Sequence, residues 1–415
     1  MIAASPLDIV LSPDEVRERF RWARRQGHPS WLWPDIAVEE WRSALRSIEE
    51  AARACLSGED SAGRLDGPPA AMGLGCYTSG LGPLLGWWCD QGRIEAPAAI
   101  RAMLALHLSH NRGRMARMTQ TAREVIRSLR GQNIDVLLLK GLDTAHAYFP
   151  DPATRPASDI DLLVAAEDFE RSETILRGAG FQAGTRHRRE SNWRSPQSRA
   201  HPQTLMHVHV DDPWSIDLHN SLDVTSVDGA PVARLDRLKP LTASRPWAVV
   251  PEGRALSQPS LLLHLAVHAG AGLHNLTLLR IAELHLVIRR DSASGLMCWD
   301  AFVASARQCG ALGYAYPALA LCEALVPGHV PAVVREQGRL AAPVPVRRLV
   351  DRLTPASAQR VDRMSLAEHF MWTSGWRARA RQIAGDLLPA AGSLQAAWAI
   401  YEKRAWRLIR GRISR

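Results

Sequence analysis

Ser158-Asp159-Ile160-Asp161-Leu162-Leu163-Val164 is the stretch on which the fold turns. Its apolar run has strand length, and side chains in a strand alternate between two faces. Asp159 and Asp161 then point the same way, while Ile160 and Leu162 point into a core. Two adjacent carboxylates repel unless cations sit between them. Hard divalent ions with oxygen ligands meet that need, and Mg²⁺ is the usual one where phosphates are handled. In two-metal sites the ions lie roughly 3.5–4 Å apart and clamp the attacking and leaving oxygens. A third carboxylate from a neighbouring strand completes such a site, and Ser215-Ile216-Asp217-Leu218-His219 supplies it. The same alternation puts Asp217 and His219 on the open face.

Working outward, Ile134 to Leu139 is a short apolar strand after the turn at Gly131-Gln132-Asn133. It ends in Lys140-Gly141, where a helix to Tyr148 begins. Glycine there allows a phosphate to approach backbone N–H groups, and Lys140 adds a positive charge. Arg155, in the loop 150–156, is a second candidate phosphate contact. Helix is expected from Ala166 to Leu176, a polar arginine-rich loop over 184–203, and a second strand from Leu205 to Val210. The centre is therefore a small α/β unit.

The flanks read as helical. Ser12-Pro13-Asp14-Glu15 is a helix start with Ser at the N-cap and Glu three residues on. Helices are expected to Gln26, from Val38 to Leu56 and from Ala96 to Leu129. Residues 58–86, rich in Gly and Pro, read as loop. From Leu256 onward helices are expected at 261–269, 276–290, 299–308, 312–325, 345–353 and in the tail. This divides the chain into a helical region 1–95, a core 96–245 and a helical region 246–415.

Composition bounds the rest. The chain has 415 residues, 46% of them hydrophobic, and a net charge of +9, which permits an anionic partner. Its six cysteines form no paired spacing, so a reduced, cytoplasmic setting is expected. No basic leader stands at Met1–Leu11. The most apolar stretch, 311–334, is broken by Pro317, Glu323, Pro327 and Pro331, so no transmembrane segment is expected. The basic residues are almost all arginine; the lysines are Lys140, Lys239 and Lys403.

The run from Leu137 to Val164, with Lys140-Gly141 and Arg155-Pro156-Ala157-Ser158-Asp159-Ile160-Asp161, followed by Ile216-Asp217-Leu218-His219, resembles the uncharacterised nucleotidyltransferase family of the polymerase-β-like superfamily. The resemblance covers residues 115–290 and takes in the helix with His264 and His268. The superfamily's Gly-Ser motif is absent, and Lys140-Gly141 stands in its place. The resemblance implies an α/β (α+β) fold with a small mixed sheet. It implies Asp159, Asp161 and Asp217 as ligands of two Mg²⁺ ions and as the catalytic residues. Lys140, Gly141, Arg155, Ser158 and His219 are then the nucleotide-binding set. The implied reaction moves a nucleoside monophosphate from an NTP to an acceptor hydroxyl or phosphate. The acceptor, whether small molecule, peptide or saccharide, is not legible. The alternative is a non-catalytic nucleotide- or partner-binding module on the same fold. Nucleic acid is a further possible partner, but no RNA-binding motif supports it.

Other features read more plainly. His264 and His268, four apart on an apolar helix, and the tryptophans are expected to pack. His207 and His209 are expected on the open face of the sheet beside His219. Trp398 to Arg412 is expected as a basic helix docked on the domain.

Overall fold

The computed structural model describes residues 11–26, 32–33, 35–58, 62–196, 204–205, 207–225, 231–273, 276–358, 370–373, 376 and 379–380. The expected tail helix at Trp398–Arg412 and most of 366–415 lie outside these residues.

Five helices lead in: α1 (Pro13–Gln26), α2 (Val38–Ser57), α3 (Pro69–Ser79), α4 (Gly82–Asp90) and α5 (Ala98–Gly131). The start of α1 is the capping box read from the sequence: Ser12 N–H donates to Glu15 Oε2 and Glu15 N–H to Ser12 Oγ. The loop expected over 58–86 is instead largely α3 and α4. Their prolines sit in the first helical turn, where a missing N–H costs nothing, so Pro69 and Pro83 start helices rather than break them. A two-residue parallel pair, β1 (Gly63–Arg64) and β2 (Ile94–Glu95), brackets them.

The centre is a mixed sheet with the order β10-β11-β3-β4-β7-β6-β5. Its strands are β3 (Val136–Leu138), β4 (Asp159–Val164), β5 (Gln182–Arg186), β6 (Glu190–Arg194), β7 (Ser215–His219), β10 (Ser244–Trp247) and β11 (Val250–Leu256). A small pair, β8 (Val224–Thr225) and β9 (Pro231–Ala233), lies apart. Short helices α6 (Leu142–Ala147) and α7 (Phe169–Gly178) connect the strands. The arginine-rich segment expected as a loop is the hairpin β5–β6 at the sheet edge. Charged side chains on an edge strand face water, which made this stretch look structureless. Of its arginines, Arg186 pairs with Glu173, and Arg199 lies outside the described residues. The strand expected at 205–210 does not form among the described residues there; the segment crosses α5 as a loop.

One face of the sheet packs Val136, Leu138, Ile160, Leu162, Ile216, Leu218 and Trp193 on Met118, Ala122 and Ile126 of α5. The C-terminal helices are α8 (Ser260–Ala271), α9 (Leu278–Ala293), α10 (Trp299–Gln308), α11 (Leu312–Leu325), α12 (Ala332–Ala341), α13 (Val344–Val350) and α14 (Pro355–Ala358). They share a second apolar core with α2, α3 and α4 and with Leu137, Leu139 and Leu163 of the other sheet face. Among the described residues no helix is long and apolar enough to cross a membrane.

Histidines pin the segment before β7 to α5. His207 and His209, expected beside the sheet, meet His107 and His110 of α5, with ring centroids 4.5–5.9 Å apart. Their ring nitrogens accept backbone N–H groups: Val210 N–H donates to His110 Nδ1 at 3.1 Å, and Val208 N–H to His107 Nδ1 at 3.4 Å. An acceptor nitrogen must be unprotonated. Burial, then the neighbouring His110 and His209, push His207 down to about 4. A histidine kept neutral in the fold but free to charge when unfolded loses stability as pH falls from about 6.5 toward the folded value. We expect the unfolding free energy, measured in urea at pH 7 and pH 5, to fall on acidification. His207→Gln should flatten that slope by up to about 1.4 kcal/mol per pH unit. An unchanged slope counts against the neutral-histidine pin.

Candidate active site

The three aspartates converge because β4 and β7 run parallel in one register. Asp159 faces Ser215, Asp161 faces Asp217, and Leu163 faces His219. Alternation then sets Ile160, Leu162, Ile216 and Leu218 on the buried side and the acids on the other. Ligand oxygens of Asp159, Asp161 and Asp217 lie within 4.8 Å of one another. An all-oxygen set of this density suits a hard divalent cation.

Their surroundings differ. Asp161 is sealed: Lys140 Nζ forms an ion pair with its Oδ2, and the two side chains are 12% and 4% exposed. His219 Nε2 contacts its Oδ1 at 3.2 Å. Burial would raise the Asp161 carboxyl, but Lys140 and His219 outweigh it and hold it well below the carboxylate range. Burial likewise opposes charge on Lys140 and His219. The aspartates around Lys140 and the Asp161 contact to His219 win, and both bases are raised. Asp217 is held at Oδ1 by Asn192 Nδ2 at 2.6 Å and Ser215 Oγ at 3.2 Å. Burial, then the charges of Asp159 and Asp161, push it up to about 6. Asp159, half-buried, has no hydrogen bond or ion pair among the described residues, and Ser158 beside it is exposed.

Below this set lies a buried strut. Arg155 Nε and Nη2 donate to Glu283 of α9 at 2.8 and 3.0 Å, and Thr144 of α6 donates to the same carboxylate. A phosphate reaching for Arg155 would compete with that bidentate pair. Gly141 has φ +65°, a left-handed conformation that a side chain resists. It opens α6, which is only six residues long. His264 of α8 is buried near Lys140, Asp161 and His219, and its Nε2 has no hydrogen-bond partner. Arg280 of α9 lies within the field of Asp159 and Asp161 and makes no ion pair among the described residues. The site thus has a floor of acids and a helical wall carrying imidazole and guanidinium.

Arg114 of α5 aligns the two acid-bearing strands. It is 3% exposed; Nη1 donates to Ala157 O, just before β4, and Nη2 to Pro213 O at 2.8 Å, just before β7. Asn192, Ser215, Glu283, Arg280 and Arg114 were not singled out in the sequence. Asn192 had little signal: Trp193 is the one apolar residue of Glu190-Ser191-Asn192-Trp193-Arg194, and the alternation shows in burial, with Ser191 and Trp193 buried and their neighbours not.

A mixed sheet with two acids on one strand and a third at the facing position of its parallel neighbour defines a nucleotidyltransferase-like fold. The chain belongs to the uncharacterised nucleotidyltransferase family, whose profile matches residues 78–327. The match extends well beyond the 115–290 over which the motifs were recognised, into α3 on one side and past α11 on the other. No curated protein and no solved structure matches the chain.

Removing one partner of a buried ion pair strands the other and costs about 3–5 kcal/mol. We expect Glu283→Ala to lower the unfolding free energy by about that amount. A loss under about 1 kcal/mol in chemical denaturation would mean that Arg155 finds another partner.

Proposed function

We propose that the protein transfers a nucleoside monophosphate from an NTP to an acceptor hydroxyl or phosphate, with Asp159, Asp161 and Asp217 as the catalytic acids. The observation that carries this reading is the convergence of three carboxylates, two on β4 and one at the facing position of β7, in a fold of the nucleotidyltransferase class. The donor set fits Mg²⁺, held by these aspartates, which when bound neutralises charge on the triphosphate and activates the acceptor oxygen.

The chain's own residues then have distinct tasks. Asp159 offers an unengaged carboxylate at the solvent edge. Asp217 faces the acceptor with Oδ2, the oxygen that Asn192 and Ser215 leave free, and the acceptor's proton leaves to solvent. The acceptor oxygen bonds to the α-phosphorus, the bond to the bridging oxygen breaks, and pyrophosphate leaves. Arg280 and Lys140 supply positive charge on the side where the leaving group's charge develops. Lys140-Gly141, Ser158 and His219 complete the nucleotide-facing set. Positioning and electrostatics carry such transfers, so few groups need to react covalently.

The test is incubation with labelled ATP, GTP, CTP and UTP, Mg²⁺ and a cell extract, followed by isolation of whatever acquires label. Asp159→Asn should reduce labelling at least about a hundredfold. Because Asp159 holds nothing in the fold, the same variant should keep its unfolding free energy within about 0.5 kcal/mol. Wild-type labelling by Asp159→Asn would remove the acids from the chemistry.

A further inference from the structure

We propose that Lys140 is the built-in second cation of this centre, so that the free protein takes one divalent ion, on Asp159 and Asp217, rather than two. The inference rests on the metal-dependent reading above and specifies it.

Four observations converge. Both oxygens of Asp161 are engaged, Oδ2 by the Lys140 ammonium and Oδ1 by His219. Asp159 is unengaged among the described residues, and Asp217 keeps Oδ2 open. The ligands left for an ion are therefore the outer two acids, not the middle one. Second, the Lys140–Asp161 pair is sealed from water, so drawing the lysine off would leave a buried ammonium without its partner. Third, the Lys140 ammonium offsets one of the three carboxylate charges, so this centre calls for less added positive charge than a bare acid triad. Fourth, the chain uses arginine almost everywhere and has three lysines. A guanidinium is a broad planar fork, whereas an ammonium is a compact point charge with three donors, the closer mimic of an ion. Here, at the turn between β3 and α6, the compact group is kept.

The test is Mn²⁺ binding to the full chain without nucleotide, followed by electron paramagnetic resonance and calorimetry. The wild type should bind one ion. Lys140→Met combined with Asp161→Asn removes one charge of each sign, so the net charge of the centre is preserved. That double variant should keep one ion with affinity within about threefold of wild type. Asp159→Asn should weaken binding by about 30-fold or more. Lys140→Met alone, which frees Asp161, should acquire a second ion. Two ions in the wild type, a double variant that loses Mn²⁺ in step with Asp159→Asn, or a single ion in Lys140→Met would each overturn the lysine's role while leaving metal dependence standing. No Mn²⁺ bound by the wild type would instead overturn the metal-dependent reading itself. The double variant also guards against a folding defect in Lys140→Met, because it leaves no unpaired buried charge.

Discussion

Three carboxylates within 4.8 Å repel one another, and the arrangement around them answers that repulsion. Like charges at facing positions of paired strands destabilise a sheet, yet Asp161 and Asp217 face each other on β4 and β7. Each acid is treated separately. Asp161 is neutralised from within by Lys140 and His219. Asp217 is held by neutral donors, Asn192 and Ser215, which orient it without cancelling its charge. Asp159 is left at the rim, where water screens it. The gradient from sealed to open leaves the outer pair as the less engaged acids of the centre.

Much of this was legible in the chain. The alternation of Asp159-Ile160-Asp161-Leu162 and of Ile216-Asp217-Leu218 fixes which side chains share a face whatever the rest of the sheet does, because the strand period is two. The helix start at Ser12 was legible for a similarly local reason. The β5–β6 hairpin was not, since an exposed edge strand running into a turn with Arg188 and Arg189 looks like any solvated loop. Helices α3 and α4 were hidden by residues that mark turns in most settings. The Arg155–Glu283 pair joins positions 128 residues apart, and no local pattern encodes such a contact. His207 and His209 were read from alternation alone, but they sit in a loop whose backbone donors are accepted by His107, His110 and His209.

The helical regions contribute to the site as well as to bulk. Residues of α2, α3 and α4 share one apolar core with α8, α9 and α11. That core fixes α8 and α9, and these two helices bring His264, Arg280 and Glu283 to the acids. A sheet alone would present three aspartates on an open face; the wall sets a neutral imidazole and the Arg280 guanidinium against it. The extent of the family match, residues 78–327, takes in both parts.

The grip of Arg114 on Ala157 and Pro213 has a corollary. Its guanidinium reads carbonyl oxygens, which every amino acid carries, rather than side chains. The two loops that introduce the acid-bearing strands are gripped by backbone alone at these points, so the strands stay in step whichever side chains stand at 157 and 213. Such a clamp makes the spacing of the two strands a property of the backbone, independent of the side chains at the points it grips.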